Sequence, residues 1–169
     1  MASDLRVPAD VLTVNDEAEL CWKVIEPAYN ALGSGDGTGP LDVLRRLTPG
    51  QRALLAVQWC VSETLKGGFD ECFSNPNGVL AYDARVGFER IGVPEGAMML
   101  VAAQALINSR PAERDPDDPA VDDAREAERI DEYLAAYEPL HERFHALVDH
   151  DLYPRAAAYV RAHPQEFIR

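Results

Sequence analysis

Thr48-Pro49-Gly50-Gln51-Arg52-Ala53-Leu54-Leu55-Ala56-Val57-Gln58-Trp59-Cys60-Val61, in the middle of a 169-residue chain, reads as the start of a central helix. Thr48 is placed to cap it and Gln51 to close a capping box back onto Thr48. Pro49 fits the first turn, where its missing N–H costs no hydrogen bond. Leu54, Leu55, Val57, Trp59, Cys60, Val61 and Leu65 then spread apolar side chains around most of the circumference. A helix with so little polar face belongs inside a core. Gly67-Gly68 stops it, because glycine readily takes the left-handed conformation in which many helices end.

On the N-terminal side, Asp16 and Glu19 cap a helix expected to run to Leu32, with Cys21, Ile25, Ala28 and Leu32 as its apolar stripe. Pro27 predicts a kink or break near Glu26. The glycine-rich run Gly33 to Gly39 follows a helix rather than a strand and lacks the Lys-Ser/Thr ending of a phosphate loop, so it reads as a connector. Pro40 opens a short helix to about Leu47.

On the C-terminal side, Phe69 to Asn75 is a short turn or helix and Pro76-Asn77-Gly78 a tight turn. Leu80, Ala84, Gly87, Phe88 and Ile91 form the next amphipathic face, which stops at Gly92. Pro94 starts a helix expected to bury Met98, Met99, Val101, Ala102, Ala105 and Leu106. A Pro- and Asp-rich loop from Arg110 to Asp123 leads to a helix with Ile130, Leu134 and Tyr137 inward, interrupted at Pro139. Leu140, Phe144, Leu147 and Val148 make another face, and Ala156 to Ala162 the last. No useful segment alternates with period two. The expectation is a single compact all-α domain over residues 1–169, with about seven to nine helices and residues 1–14 extended or poorly ordered.

Composition narrows function. Sixteen Lys and Arg against 29 Asp and Glu give a net charge of −13. That field repels nucleic acid and anionic membrane and attracts basic proteins. Neither direct nucleic-acid binding nor membrane association is expected, and the oligomeric state is left open. Cys21, Cys60 and Cys72 are odd in number, form no CxxC and sit in apolar surroundings, as reduced core thiols do. The start of the chain has no apolar signal core, and no apolar run approaches the ~18 residues of a membrane span. A cytoplasmic location is the expectation.

The segment Lys66-Gly67-Gly68-Phe69-Asp70-Glu71-Cys72-Phe73-Ser74-Asn75, preceded by Gln51 to Val57, Trp59 and Glu63 and followed by Gly78, carries a resemblance. So do Phe88-Glu89-Arg90-Ile91-Gly92 and the ending Ala162-His163-Pro164-Gln165-Glu166-Phe167. The chain resembles a bacterial domain family with a Gly-Gly-Phe centre, the family to which the neisserial DNA-mimic protein belongs. This chain has Lys66, Glu71 and Cys72 where that family has Asn, Gln and an aromatic. Gly67 and Gly68 suit a tight backbone turn, Phe69 and Phe73 are two core rings four residues apart, and Asn75 suits a turn hydrogen bond. Each of the five thus has a structural role. The alternative is a small polar pocket using Glu63, Glu71 and Asn75.

Two functions of different kinds follow. The first is non-catalytic: an acidic domain that binds a protein, in its sharpest form a DNA mimic held by a basic DNA-binding protein. Between Glu113 and Glu132 ten carboxylates face three arginines, a local charge of −7. The candidate surface is Asp115, Asp117, Asp118, Asp122, Asp123, Glu126, Glu128, Asp131 and Glu132. The second is a small metal-dependent hydrolase. His141-Glu142-Arg143-Phe144-His145 matches H-E-x-x-H, which on a helix sets two His on one face for zinc with the Glu as general base. Glu166 or Asp149 would be the third ligand. The first function is preferred, and with it no catalytic residue, metal or cofactor is expected, because no strand flanks that helix to hold an extended substrate.

Overall fold

The computed structural model describes residues 5–32, 40–74, 79–110 and 123–169. They fold as α1 (Glu17–Leu32), α2 (Pro40–Arg46), α3 (Pro49–Ser74), α4 (Val79–Arg90), α5 (Pro94–Asn108), α6 (Asp123–Leu147) and α7 (Tyr153–Ala162). A 3-10 turn, Ala9–Thr13, precedes α1, and a π-helical turn, Val148–Leu152, joins α6 to α7. Among the described residues the extended pairing is a lone parallel bridge between Val7 and Ile168, which ties the two ends of the chain together. No helix among the described residues is long and apolar enough to cross a membrane.

The all-helical expectation holds, and the long helices are fewer than the seven to nine expected. Six of these helices run ten residues or more, and α2 has seven. Two expected interruptions, at Pro27 and Pro139, do not separate helices. The expected stop at Gly67-Gly68 is a non-helical break that divides α3 into two halves before it ends at Ser74. Pro139 lies inside α6, and Pro27 inside α1, each helix running on past its proline.

Helix starts form as their sequences direct. The Glu19 N–H donates to Asp16 Oδ1 at 2.7 Å. At α3 the box is complete: the Gln51 N–H donates to Thr48 Oγ1, and the Thr48 N–H to Gln51 Oε1, both at 3.1 Å. The same Thr48 hydroxyl donates to the Glu166 carbonyl at 2.7 Å, and Gln51 Nε2 donates to the Leu5 carbonyl at 2.9 Å. Gln51 is therefore a buried polar group with its donor and acceptor satisfied.

α3 is the centre of the core. Leu54, Leu55, Ala56, Val57, Cys60 and Val61 are buried, and the helix packs against α1, α4, α5 and α6. Its closest neighbour is α4, at Gly87: a Cβ there would lie 2.6 Å from the Ala53 carbonyl oxygen, so only glycine permits the approach. Arg52 clamps the same pair of helices, with Nε and Nη2 donating to both carboxylate oxygens of Asp83 at 2.7–3.0 Å.

Two expected faces are corrected. On α5, Met99 is buried, but Met98 and Val101 are 65% and 51% exposed, Ala102 and Ala105 are also exposed, and Leu106 is half-buried. This helix is apolar on every side, so its pattern does not choose an inward face. Packing chooses Ala97, Met99, Leu100 and Ala103. On α6, Ile130 and Leu134 are exposed, and the inward row is Tyr133, Tyr137, Leu140, Phe144 and Leu147.

Candidate functional site

The Gly-Gly-Phe segment is a break in α3 held by α6. Gly67 has φ −142° and ψ 16°, and Gly68 has φ +79° and ψ −175°. The second pair of angles lies in a region populated almost only by glycine. Phe69 follows with its ring fully buried, making edge-on contacts with Phe144, His141 and Tyr137 at centroid distances of 5.2, 5.9 and 6.0 Å. The Phe69 N–H donates to the Tyr137 hydroxyl oxygen at 2.9 Å. A Cβ on Gly68 would lie 2.5 Å from that same oxygen, so the break and the tyrosine fit only with glycine between them.

Around this contact the polar groups form a small network. Arg110 donates to Asp70 at 2.9 Å and lies over the Tyr133 ring, 5.6 Å from its centroid. The Tyr133 hydroxyl is buried and has no hydrogen-bond partner among the described residues. Burial, and secondarily Asp70, push the Tyr133 phenol above its ordinary value, and burial does the same for Tyr137. Tyr133, Tyr137, His141 and His145 stand one above another along α6 at steps of four residues, with ring centroids 4.5–6.0 Å apart. Phe73 is half-buried and borders a groove of about 510 Å³ between α3, α4 and α5. Asn75 lies outside the described residues. Glu63 is half-buried and Glu71 exposed, and the polar pocket suggested for them with Asn75 falls in part outside the described residues.

The histidine pattern does not gather the ligands expected of it. His141 and His145 touch edge-on, with His141 Nε2 3.4 Å from the Thr64 carbonyl and His145 Nε2 buried without a partner among the described residues. Glu142 is exposed, and the cavity of about 460 Å³ beside these residues also meets Asp149 and His150. Glu166 is engaged elsewhere: its carboxylate accepts from Arg90 Nη2 at 3.1 and 3.3 Å and from the Tyr159 hydroxyl at 3.1 Å. Glu166, suggested as a third ligand, is thus held by Arg90 and Tyr159. Among the described residues, no group of three or more His, Cys, Asp or Glu side chains is arranged to hold a metal ion.

Of the acidic surface, Asp115, Asp117, Asp118 and Asp122 lie outside the described residues, and Asp123 and Glu126 fall in the first turn of α6. Glu128, Asp131 and Glu132 are exposed on α6, and Glu138 and Glu142 continue the series, also exposed. At about 100° per residue these five fall within an arc of roughly 120°. That arc lies opposite the inward row of Tyr133, Tyr137 and Phe144, while Arg125, Arg129 and Arg143 flank it on one side. Glu138 and Glu142 were legible in the sequence, since they repeat the Asp131 position after seven and eleven residues. Ion pairs elsewhere, such as Arg52–Asp83, Arg90–Glu166 and Arg155–Glu95, remove one charge of each sign and leave the net −13 on the rest of the chain.

Comparison with curated proteins and with solved structures gives no match. A family model described as DMP19-like protein matches residues 45–163, which run from the end of α2 to the residue after α7 and include the Gly67-Gly68 break, Tyr137 and the acidic face of α6. With most of its length matched in this way, the chain belongs to the DMP19-like protein family.

Proposed function

We propose that this chain is a non-catalytic protein-binding domain that acts as a DNA mimic, occupying the nucleic-acid groove of a basic DNA-binding protein. Proteins grip DNA largely through its phosphates, so a rigid array of carboxylates can take their place. Family membership supports this reading, because the Gly-Gly-Phe family is the one to which the neisserial DNA-mimic protein belongs. Membership alone does not transmit a partner, and the site must carry the argument.

The observation that carries it is the α6 face. Glu128 to Glu142 spans about 21 Å at 1.5 Å per residue. One DNA strand presents a phosphate every ~3.4 Å, about six over that length. Five exposed carboxylates on one face of a helix come close to that linear charge. The helix is held against the core by the Tyr137, Leu140 and Phe144 row, so little ordering remains to be done on binding. The carboxylates from Asp115 to Glu126 precede this face in the sequence and belong to the proposed surface.

The test is capture of a purified basic DNA-binding protein on the immobilised chain. Exposed charges are screened beyond ~8 Å at physiological salt, so affinity falls steeply as salt rises. Salt-insensitive capture, or capture undiminished when the α6 carboxylates are neutralised, contradicts the reading.

A further inference from the structure

A straight helix would keep Cys60 and Cys72 about 18 Å apart along its axis, twelve residues at 1.5 Å each. The break at Gly67-Gly68 folds the second half of α3 back, and the two sulfurs lie 2.9 Å apart, both fully buried. A disulfide needs about 2.05 Å between sulfurs, so closing the pair takes a shift of less than about 1 Å.

We propose that Cys60 and Cys72 are a redox modification site, which hydrogen peroxide converts to an internal disulfide bridging the break in α3. One thiol sulfur takes an oxygen as the peroxide O–O bond breaks, giving a sulfenic acid and releasing water. The second sulfur then attacks the first: the S–S bond forms, the S–O bond breaks, and the hydroxyl leaves with the second thiol's proton as another water. Two thiols are oxidised to one disulfide and one peroxide is reduced to two waters.

The folded arrangement sets the rate. The Cys60 thiol is held well above its ordinary value, first by its hydrogen bond with Cys72 and then by burial, so little thiolate is present while α3 is closed. Reaction proceeds when the segment after Gly68 lifts from the core, and the product fastens that segment to the first half of α3. Cys21 is the internal control. It is buried on α1 and pushed up to about 12, chiefly by burial. This site is independent of the protein-binding reading.

The experiment treats the folded full chain with hydrogen peroxide, quenches it, alkylates under denaturing conditions and maps the peptides. The expected result is a mass loss of two hydrogen atoms, a fall from three alkylatable thiols to one, a Cys60–Cys72 link, an alkylated Cys21, and full reversal by dithiothreitol. Three alkylated thiols, oxygen atoms added without a link, or a link through Cys21 or between chains would overturn the proposal. The same mapping on Cys21→Ser must still show the Cys60–Cys72 link.

Discussion

The hydroxyl oxygen of Tyr137 accepts the backbone N–H of Phe69 at 2.9 Å, joining two residues 68 positions apart. Phe69 is the first residue after the break in α3, where the ladder of helical hydrogen bonds is interrupted at Gly67-Gly68. Tyr137 therefore satisfies a donor that would otherwise be partly buried and unpaired. Tyr137→Phe should destabilise the fold by about 1–3 kcal/mol, the cost of an unsatisfied buried group, read as a lower denaturation midpoint. An unchanged midpoint would remove the clasp from the account.

The same tyrosine predicts a pH dependence. Burial raises its phenol above the ordinary value near 10, so the folded state favours the neutral form. Its contribution is fully present below the unfolded value and is lost as pH rises through the folded one. Stability should fall above about pH 10, and less steeply in Tyr137→Phe. Equal alkaline slopes for the two chains would contradict this.

Phe69→Ala should cost about 3–5 kcal/mol, as for other fully buried phenylalanines. Gly68→Ala should cost about 1–3 kcal/mol for backbone strain, and more from collision with the Tyr137 hydroxyl. The collision is separable. Combining Gly68→Ala with Tyr137→Phe should cost less than the sum of the two single changes. Strict additivity would show that the methyl group and the hydroxyl do not compete for the same space.

Thr48 both caps α3 and donates to the Glu166 carbonyl near the end of the chain. Thr48→Ala should destabilise by about 1–2 kcal/mol, as losses of such caps do, and Thr48→Ser should restore most of it. If serine and alanine behave alike in thermal unfolding, the hydroxyl is not the group that matters.

Glu166, one of the two third ligands suggested for His141 and His145, is bonded to Arg90 and Tyr159, and no group of three or more metal-ligating side chains is gathered among the described residues. Purified protein analysed by elemental methods should hold no stoichiometric zinc. About one zinc per chain, lost in His145→Ala, would make the metal-dependent reading the first one.

Much of the fold was legible because its signals are local. The Thr48-Gln51 capping box, the Asp16 cap, the largely apolar stretch from Leu54 to Val61 and the glycine break each depend on neighbours a few residues away, and each forms. What was not legible depends on packing. α5 is apolar all round, so nothing in its spacing says that Met98 faces out and Met99 in. On α6, Ile130 and Leu134 look as inward as Tyr133, until Tyr137 is fixed by the Phe69 N–H and sets the rotation of the helix. The acidic surface was legible as composition, and α6 adds which carboxylates share a face. Glu128, Asp131, Glu132, Glu138 and Glu142 do so, while the stretch from Asp115 to Asp122 lies outside the described residues.

The central claim is that these carboxylates stand in for DNA phosphates, and competition tests it most directly. A captured basic DNA-binding protein, loaded on its own DNA site, is titrated with this chain and with a variant carrying Glu128→Gln, Asp131→Asn, Glu132→Gln, Glu138→Gln and Glu142→Gln. These changes remove five charges from one exposed face while nearly preserving shape, so the variant should keep the parent's helical spectrum and melting behaviour. The account predicts that the parent displaces the DNA, less effectively as salt rises, and that the folded variant does not. Displacement by the variant as strong as by the parent, or a complex that holds DNA and this protein together, would contradict it.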